Sequence, residues 1–119
     1  MEALLKQLKH TPEVVSFEQV MAIINEHYHY QATDFSNGLG RETLHNLAGI
    51  NEGSCRIFAF ANLHQLSEAE TLACFGDYYR KDVLPHPDRN DHKNIRLFMK
   101  YGWQGIRFNT LPLTEKKYA

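Results

Sequence analysis

Long hydrophobic runs are missing from this 119-residue chain. No unbroken apolar stretch is longer than Ile57 to Ala61, far short of the roughly 20 residues that cross a bilayer as a helix. The first ten residues have neither the apolar segment nor the small-residue cleavage site of a secretory leader, so the chain is expected to be made and to fold in the cytoplasm. Cysteine is scarce: Cys55 and Cys74 suit neither a disulfide framework nor a zinc knuckle and are read as free thiols. Repeats, low-complexity tracts and linkers are absent too, which excludes solenoids and flexible arrays.

What remains is one globular domain, 43% apolar and 12% aromatic. Folding a chain of this size removes roughly 60 to 70% of its surface from water, enough for a core without covalent staples. The net charge of −1 hides a polarity. Residues 1–70 hold nine acids and four bases, and residues 71–119 hold five acids and nine bases. This favours head-to-tail contacts or a modest anion site in the second half. Seven histidines add a dependence of charge on pH below about 6.5.

Leu4, Leu5 and Leu8 predict a short helix stopped by Thr11-Pro12, because the residue before proline is pushed out of helical geometry. Ser16 with Gln19 reads as a capping box, flanked by the staple pair Val15 and Val20. The helix it starts carries the stripe Phe17, Val20, Met21, Ile24, Tyr28. Thr33–Ser36 and Glu42–His45 around Asn37-Gly38-Leu39-Gly40 suggest a short β-hairpin, with a structured loop as the alternative. After a glycine-punctuated loop, Ser54 is the expected N-cap of a helix apolar nearly all round, hence buried. Ser67 with Glu70 is a second capping box, opening one helix through Ala69, Leu72, Phe75, Tyr79 and Val83 to Pro85. Asp91 should cap a last helix with Ile95, Phe98 and Met99 inward, ended by Gly102, and Trp103–Phe108 should form a strand. The fold class is α+β, predominantly α: about five helices around one core, a short hairpin and a C-terminal strand. Residues 1–113 make the domain, and the polar tail from Thr114 to Ala119 is expected to fray.

Several blocks carry a family resemblance: Phe17 to Ile24, Phe35 to Gly38, Asn46 to Gly49, Gly53 to Ala61, Phe75 to Arg80 with Asp82 to Leu84, Asp91 to Arg96, Phe98-Met99 and Gly102 to Phe108. Their order and spacing resemble the HopJ family, named after type III effector proteins of plant-pathogenic bacteria. The resemblance implies a compact, mostly helical domain associated with secreted effectors, so export into a host cell is the alternative to a cytoplasmic life. It brings no reaction, cofactor or catalytic set. Two features depart from the pattern: Leu4, Leu5 and Leu8 look folded where an export signal would be disordered, and Arg89-Asn90 stands in a turn that would favour glycine.

Each chemical candidate has a plainer reading beside it. Cys55, one residue after the expected cap, could have its thiol pKa lowered by free helix amides, with His92 or His64 as base and Asp91 as orienter. The plainer reading is a small buried side chain. His86, Asp88, Asp91 and His92 cluster in one loop and could ligate a divalent metal, although His-Pro-Asp is ordinary turn chemistry and Met99 stands where an EF-hand needs glutamate. No metal or cofactor is expected. Lys93, Arg96 and Lys100 form a basic strip that could meet phosphate, but nucleic acid is disfavoured because such strips are usually solvated faces. Asn37, Asn46, Asn51, Tyr79, Arg80, Asp91, His92, Asn94, Arg96 and Trp103 are the polar residues that packing explains least. They either converge on a pocket or satisfy turns and buried backbone groups. The leading expectation is a domain that binds a protein or a small ligand; the alternative is a hydrolase using Cys55 or the His86–His92 loop.

Overall fold

The computed structural model describes residues 1–117 and is α+β, with 55% helix and 12% strand. Helix α1 (Glu2–His10) buries Leu4 and Leu8 and stops at Thr11, whose backbone has left the helical region ahead of Pro12. A 3-10 turn, Pro12–Val14, leads into α2 (Phe17–His27). There the Ser16 hydroxyl accepts from the Gln19 amide at 3.1 Å. The reciprocal half of the box is not made, because the Gln19 side chain donates to Gln7 Oε1 instead. Val20 and Ile24 carry the buried stripe into the core.

Strands β1 (Tyr28–Tyr30), β2 (Phe35–Asn37) and β3 (Leu44–Asn46) follow. The expected hairpin forms, with Phe35 opposite Asn46 and Asn37 opposite Leu44, and its connection contains a 3-10 turn at Gly40–Glu42. Gly38 (φ +99°) is required there, since a Cβ would stand 2.7 Å from the Glu42 carbonyl oxygen. Helix α3 (Glu52–Leu63) buries Cys55 and every residue from Ile57 to Ala61. It begins before Ser54: Asn51, in the left-handed region, is the N-cap, and Ser54 lies inside the first turn.

Helix α4 (Glu68–Ala73) opens with both bonds of the Ser67–Glu70 capping box. The single helix expected to run on to Val83 is broken. Gly76 has φ +60°, and a Cβ on it would lie 2.7 Å from the Phe17 amide nitrogen, so the backbones of two distant segments meet at this glycine. The chain resumes as a π-helical turn, Tyr78–Val83. Helix α5 (Lys93–Tyr101) is preceded by His92 in the left-handed region, which takes the N-cap position expected of Asp91. Ile95 and Phe98 face inward, whereas Met99 is exposed. Gly102 ends α5, and β4 (Arg107–Phe108) pairs with β2 to complete a three-stranded antiparallel sheet in the order β3-β2-β4.

The expected fraying of residues 114–119 does not hold for the start of the tail. Strand β5 (Leu113–Glu115) pairs antiparallel with β1, and Lys116 donates its amide to His27 and its ammonium to the Asn25 carbonyl. Residues 118 and 119 lie outside the described part.

Phenylalanines and leucines supply much of the core, and the aromatic rings meet at its centre. The Phe58 ring lies 5.0 Å from Phe98, 5.5 Å from Phe75 and 6.2 Å from Phe35, and Trp103 meets Phe98 edge-on at 5.1 Å. Truncating a phenylalanine so enclosed costs about 3–5 kcal/mol. Among the described residues no helix is long and apolar enough to cross a membrane.

One histidine ties the small sheet to this core. His64, at the end of α3, rests on Phe60 and shares a 2.7 Å hydrogen bond with the Tyr28 hydroxyl. Burial pushes its pKa below the ordinary 6.5, with Glu115 opposing the shift. The unfolded chain therefore takes up this proton first, and stability should fall as pH drops below about 6.5 through the lower folded value. His64→Gln should flatten that limb of the stability profile between pH 7 and 5, measured by urea unfolding.

Candidate functional site

Four asparagines bring the starts of two helices onto the hairpin. The Asn37 amide donates to the Asn94 carbonyl (2.8 Å) and to Asn94 Oδ1 (3.1 Å). Asn46 Nδ2 donates to Asn94 Oδ1 at 3.2 Å, and Asn94 Nδ2 returns a bond to Asn46 Oδ1 at 2.9 Å. Asn51 Nδ2 reaches the same Asn46 oxygen at 2.8 Å. Asn37, Asn46 and Asn94 are buried, so this network fixes β2, β3 and the first turns of α3 and α5 relative to one another. The Asn37 Oδ1 atom is buried without a partner among the described residues.

Above this brace lies a cleft of about 660 Å³ between the N-termini of α3 and α5. One wall is aromatic: Phe17 meets Tyr78 edge-on at 5.1 Å, and Tyr78 lies 5.4 Å from the His92 ring. Gly53 lets the Phe17 ring approach, since a Cβ there would sit 2.9 Å from Phe17 Cζ. The lining also has a polar share, from Asn51, Ser54, Asn90, Lys93 and Asn94.

Helix starts supply donors as well as walls. The first intrahelical bonds run from Cys55 to Asn51 and from Ile95 and Arg96 to His92. Neither N-cap side chain caps its helix. The amides of Gly53, Ser54, Lys93 and Asn94 therefore have no acceptor among the described residues, and all four residues line the cleft. Both macrodipoles place their positive ends here.

The ten polar residues named from the sequence divide into three groups. Asn51, His92 and Asn94 line the cleft, and Asn37 and Asn46 brace it from below. The others are tied elsewhere. Arg80 donates to the Val15 (2.6 Å) and Pro12 (3.3 Å) carbonyls, holding the α1–α2 connection. Trp103 donates its indole N–H to the Leu66 carbonyl, and Tyr79 packs partly buried against the core. Arg96 clamps the loop before its own helix, through the Asp91 carbonyl, the Asp91 carboxylate and the His86 carbonyl. That hydrogen bond holds the Asp91 carboxyl below the usual carboxylate range.

The catalytic candidates do not assemble. Cys55 is buried outside the cleft, and burial raises its thiol pKa instead of lowering it. Cys74 is buried as well, its thiol pushed up to about 12. His64 stands nine residues beyond Cys55 on α3, about 13 Å along the axis, and is engaged with Tyr28. His92 does enter the cleft, but the carboxylate it faces is Asp82 of the π-helical turn, at 3.3 Å, while Asp91 serves Arg96. Nor do His86, Asp88, Asp91 and His92 gather: among the described residues no three His, Cys, Asp or Glu side chains are placed to hold one metal ion. The basic strip dissolves likewise, with Arg96 on Asp91 and Lys100 on Glu42, leaving Lys93 alone.

Tyr78, Asp82, Gly53 and Asn90 escaped the sequence reading as site residues. Tyr78 and Asp82 are brought in by contacts with distant segments, Phe17 and His92, whereas Gly53 and Asn90 are chain neighbours of Ser54 and His92. Ser54 and Lys93 were noticed for other roles.

A small α+β domain with a cleft at two helix starts is thus the class of protein that the fold defines. A family model described as HopJ type III effector protein matches residues 1–113, and the chain belongs to that family. It is also similar to the crystal structure of an unknown-function protein, VPA0580, at 47% identity and a TM-score of 0.92, over 98% of this chain and 93% of that one. Among curated proteins none matches.

Two outcomes test this anatomy. Asn94→Ala removes the Oδ1 acceptor that Asn37 and Asn46 share and the Nδ2 donor to Asn46, while Asn37 keeps its bond to the residue-94 carbonyl, so unfolding in urea should show a loss of about 2–4 kcal/mol. Iodoacetamide at pH 7.5 should leave both cysteines of the folded protein unmodified over hours and label both once urea unfolds the chain.

Proposed function

We propose that this protein is a small-molecule-binding domain whose site is the cleft between the N-termini of α3 and α5. The observation that carries the reading is that four residues lining one cleft with an aromatic wall, Gly53, Ser54, Lys93 and Asn94, have backbone N–H groups without protein acceptors among the described residues. A folded chain normally pairs such donors with a capping side chain, and here Asn51 and His92 leave them available. The ligand this favours has a planar apolar part for Phe17 and Tyr78 and an acceptor-rich edge for the amides. Two free, buried cysteines suit a reducing compartment, which the cytoplasm of the producing cell and the interior of a host cell both provide. The hydrolase alternative loses its support with the burial of Cys55 and the dispersal of the His86–His92 loop.

The test is an amide chemical-shift titration of the whole protein with a panel of nucleosides, aromatic carboxylates and small phosphates. At least one compound should move the Gly53, Ser54, Lys93 and Asn94 resonances saturably. Ser54→Phe, which puts a ring into the cleft, should abolish those shifts and leave the melting temperature within a few degrees. Shifts confined to other surfaces, or none from the panel, would overturn the reading.

A further inference from the structure

A groove of about 410 Å³ adjoins the cleft and shares Leu44, Asn90 and Lys93 with its lining. Four cations line it: Arg41, Arg89, Lys93 and Arg96. Arg96 is committed to Asp91 and the His86 carbonyl. The one acid in the groove, Glu42, is committed to Lys100 and Tyr101, and the Lys100 bond holds its carboxyl below the usual range. Among the described residues the side chains of Arg41, Arg89 and Lys93 have no ion pair or hydrogen bond.

Three uncompensated cations in one groove repel one another, and local energetics make the arrangement worse. Lys93 occupies the first position of α5, where the helix dipole favours an acid, and no acid stands in that first turn. A surface shaped only by stability would place Asp or Glu there, so the departure points to an anion supplied from outside. We propose that the protein binds a phosphorylated small molecule, its phosphate held by Arg41, Arg89 and Lys93 and its body in the adjoining cleft. This rests on the cleft reading above and names the ligand class. Two guanidinium forks and an ammonium match the several oxygens and double charge of a phosphate better than a single carboxylate. Nucleic acid would need cations continuing along further phosphates. Here Glu42 lines the groove itself, and Asp91 is bonded to the groove residue Arg96.

The experiment titrates the full chain with sodium pyrophosphate, adenosine monophosphate and adenosine at constant ionic strength, reading both calorimetry and shifts. Pyrophosphate should move the side-chain Nε–H resonances of Arg41 and Arg89 and the Lys93 amide. Adenosine monophosphate should bind at least about tenfold tighter than adenosine. The double variant Arg41→Ala/Arg89→Ala should erase that preference without changing the melting temperature by more than a few degrees. Affinity should weaken as salt rises. No groove shift from pyrophosphate or the nucleotide, or a nucleotide affinity indifferent to the double variant, overturns the proposal. If the Gly53 and Ser54 shifts of the earlier titration persist, the cleft reading survives that failure. Groove shifts with no response at Gly53 and Ser54 to the nucleotide or to any panel compound would sink the cleft reading and the two-part ligand together. A single-stranded oligonucleotide binding more tightly per phosphate than the mononucleotide would replace the small molecule with nucleic acid.

Discussion

The asparagine cluster at Asn37, Asn46, Asn51 and Asn94 is the contact on which the rest of the molecule depends. Hydrophobic packing can gather helices and a small sheet, but it is non-directional and leaves their relative rotation loosely specified. Amide-to-amide hydrogen bonds in a buried setting tolerate little rotation, and an unsatisfied donor there costs about 1–3 kcal/mol. By joining two strands to two helix starts, these side chains decide which way the helix ends face. The cleft follows from that decision.

Polar residues therefore do two jobs in one small volume. Asn94 is at once the hub of the buried network and part of the cleft lining, so ligand contacts there would be supported from below by bonds to Asn37 and Asn46. Arg96 plays a comparable role for the loop before α5: three donors from one guanidinium hold that loop, and Lys93 and Arg89 lie in the same groove wall. Binding groups held by rigid neighbours lose less freedom when a ligand arrives.

Local signals read truly where the chain's own neighbours decide its shape. Ser16 and Ser67 start their helices as the capping pattern says, Val20 and Ile24 point inward, and Phe58 and Phe98 build the core. The reading failed where a distant segment decides. The Ala69–Val83 stripe keeps helical period, yet Gly76 must bend to let the Phe17 backbone approach. Thr114 and Glu115 show no strand pattern because their order comes from β1, more than eighty residues away. At the site, Asn51 and His92 adopt left-handed backbones that displaced the expected caps Ser54 and Asp91, and that displacement exposes the donors. The asparagines were visible as polar residues without a packing reason, and convergence was one of the two readings open for them; which strands and helix starts they would join was not legible.

The pairing of β1 with β5 bears on where this domain ends. The family match stops at residue 113, the first residue of β5, whereas the ladder runs through Glu115 and its closing bonds come from Lys116. A chain trimmed to the matched boundary would keep Leu113 in the core but leave the Tyr28–Tyr30 edge uncovered. The backbone groups of Tyr28 and His29 that pair with β5 would then need water as their partner. Thr114, Glu115 and Lys116 thus belong to the folded unit, since their backbone and the Lys116 ammonium supply the partners of Tyr28, His29, His27 and Asn25.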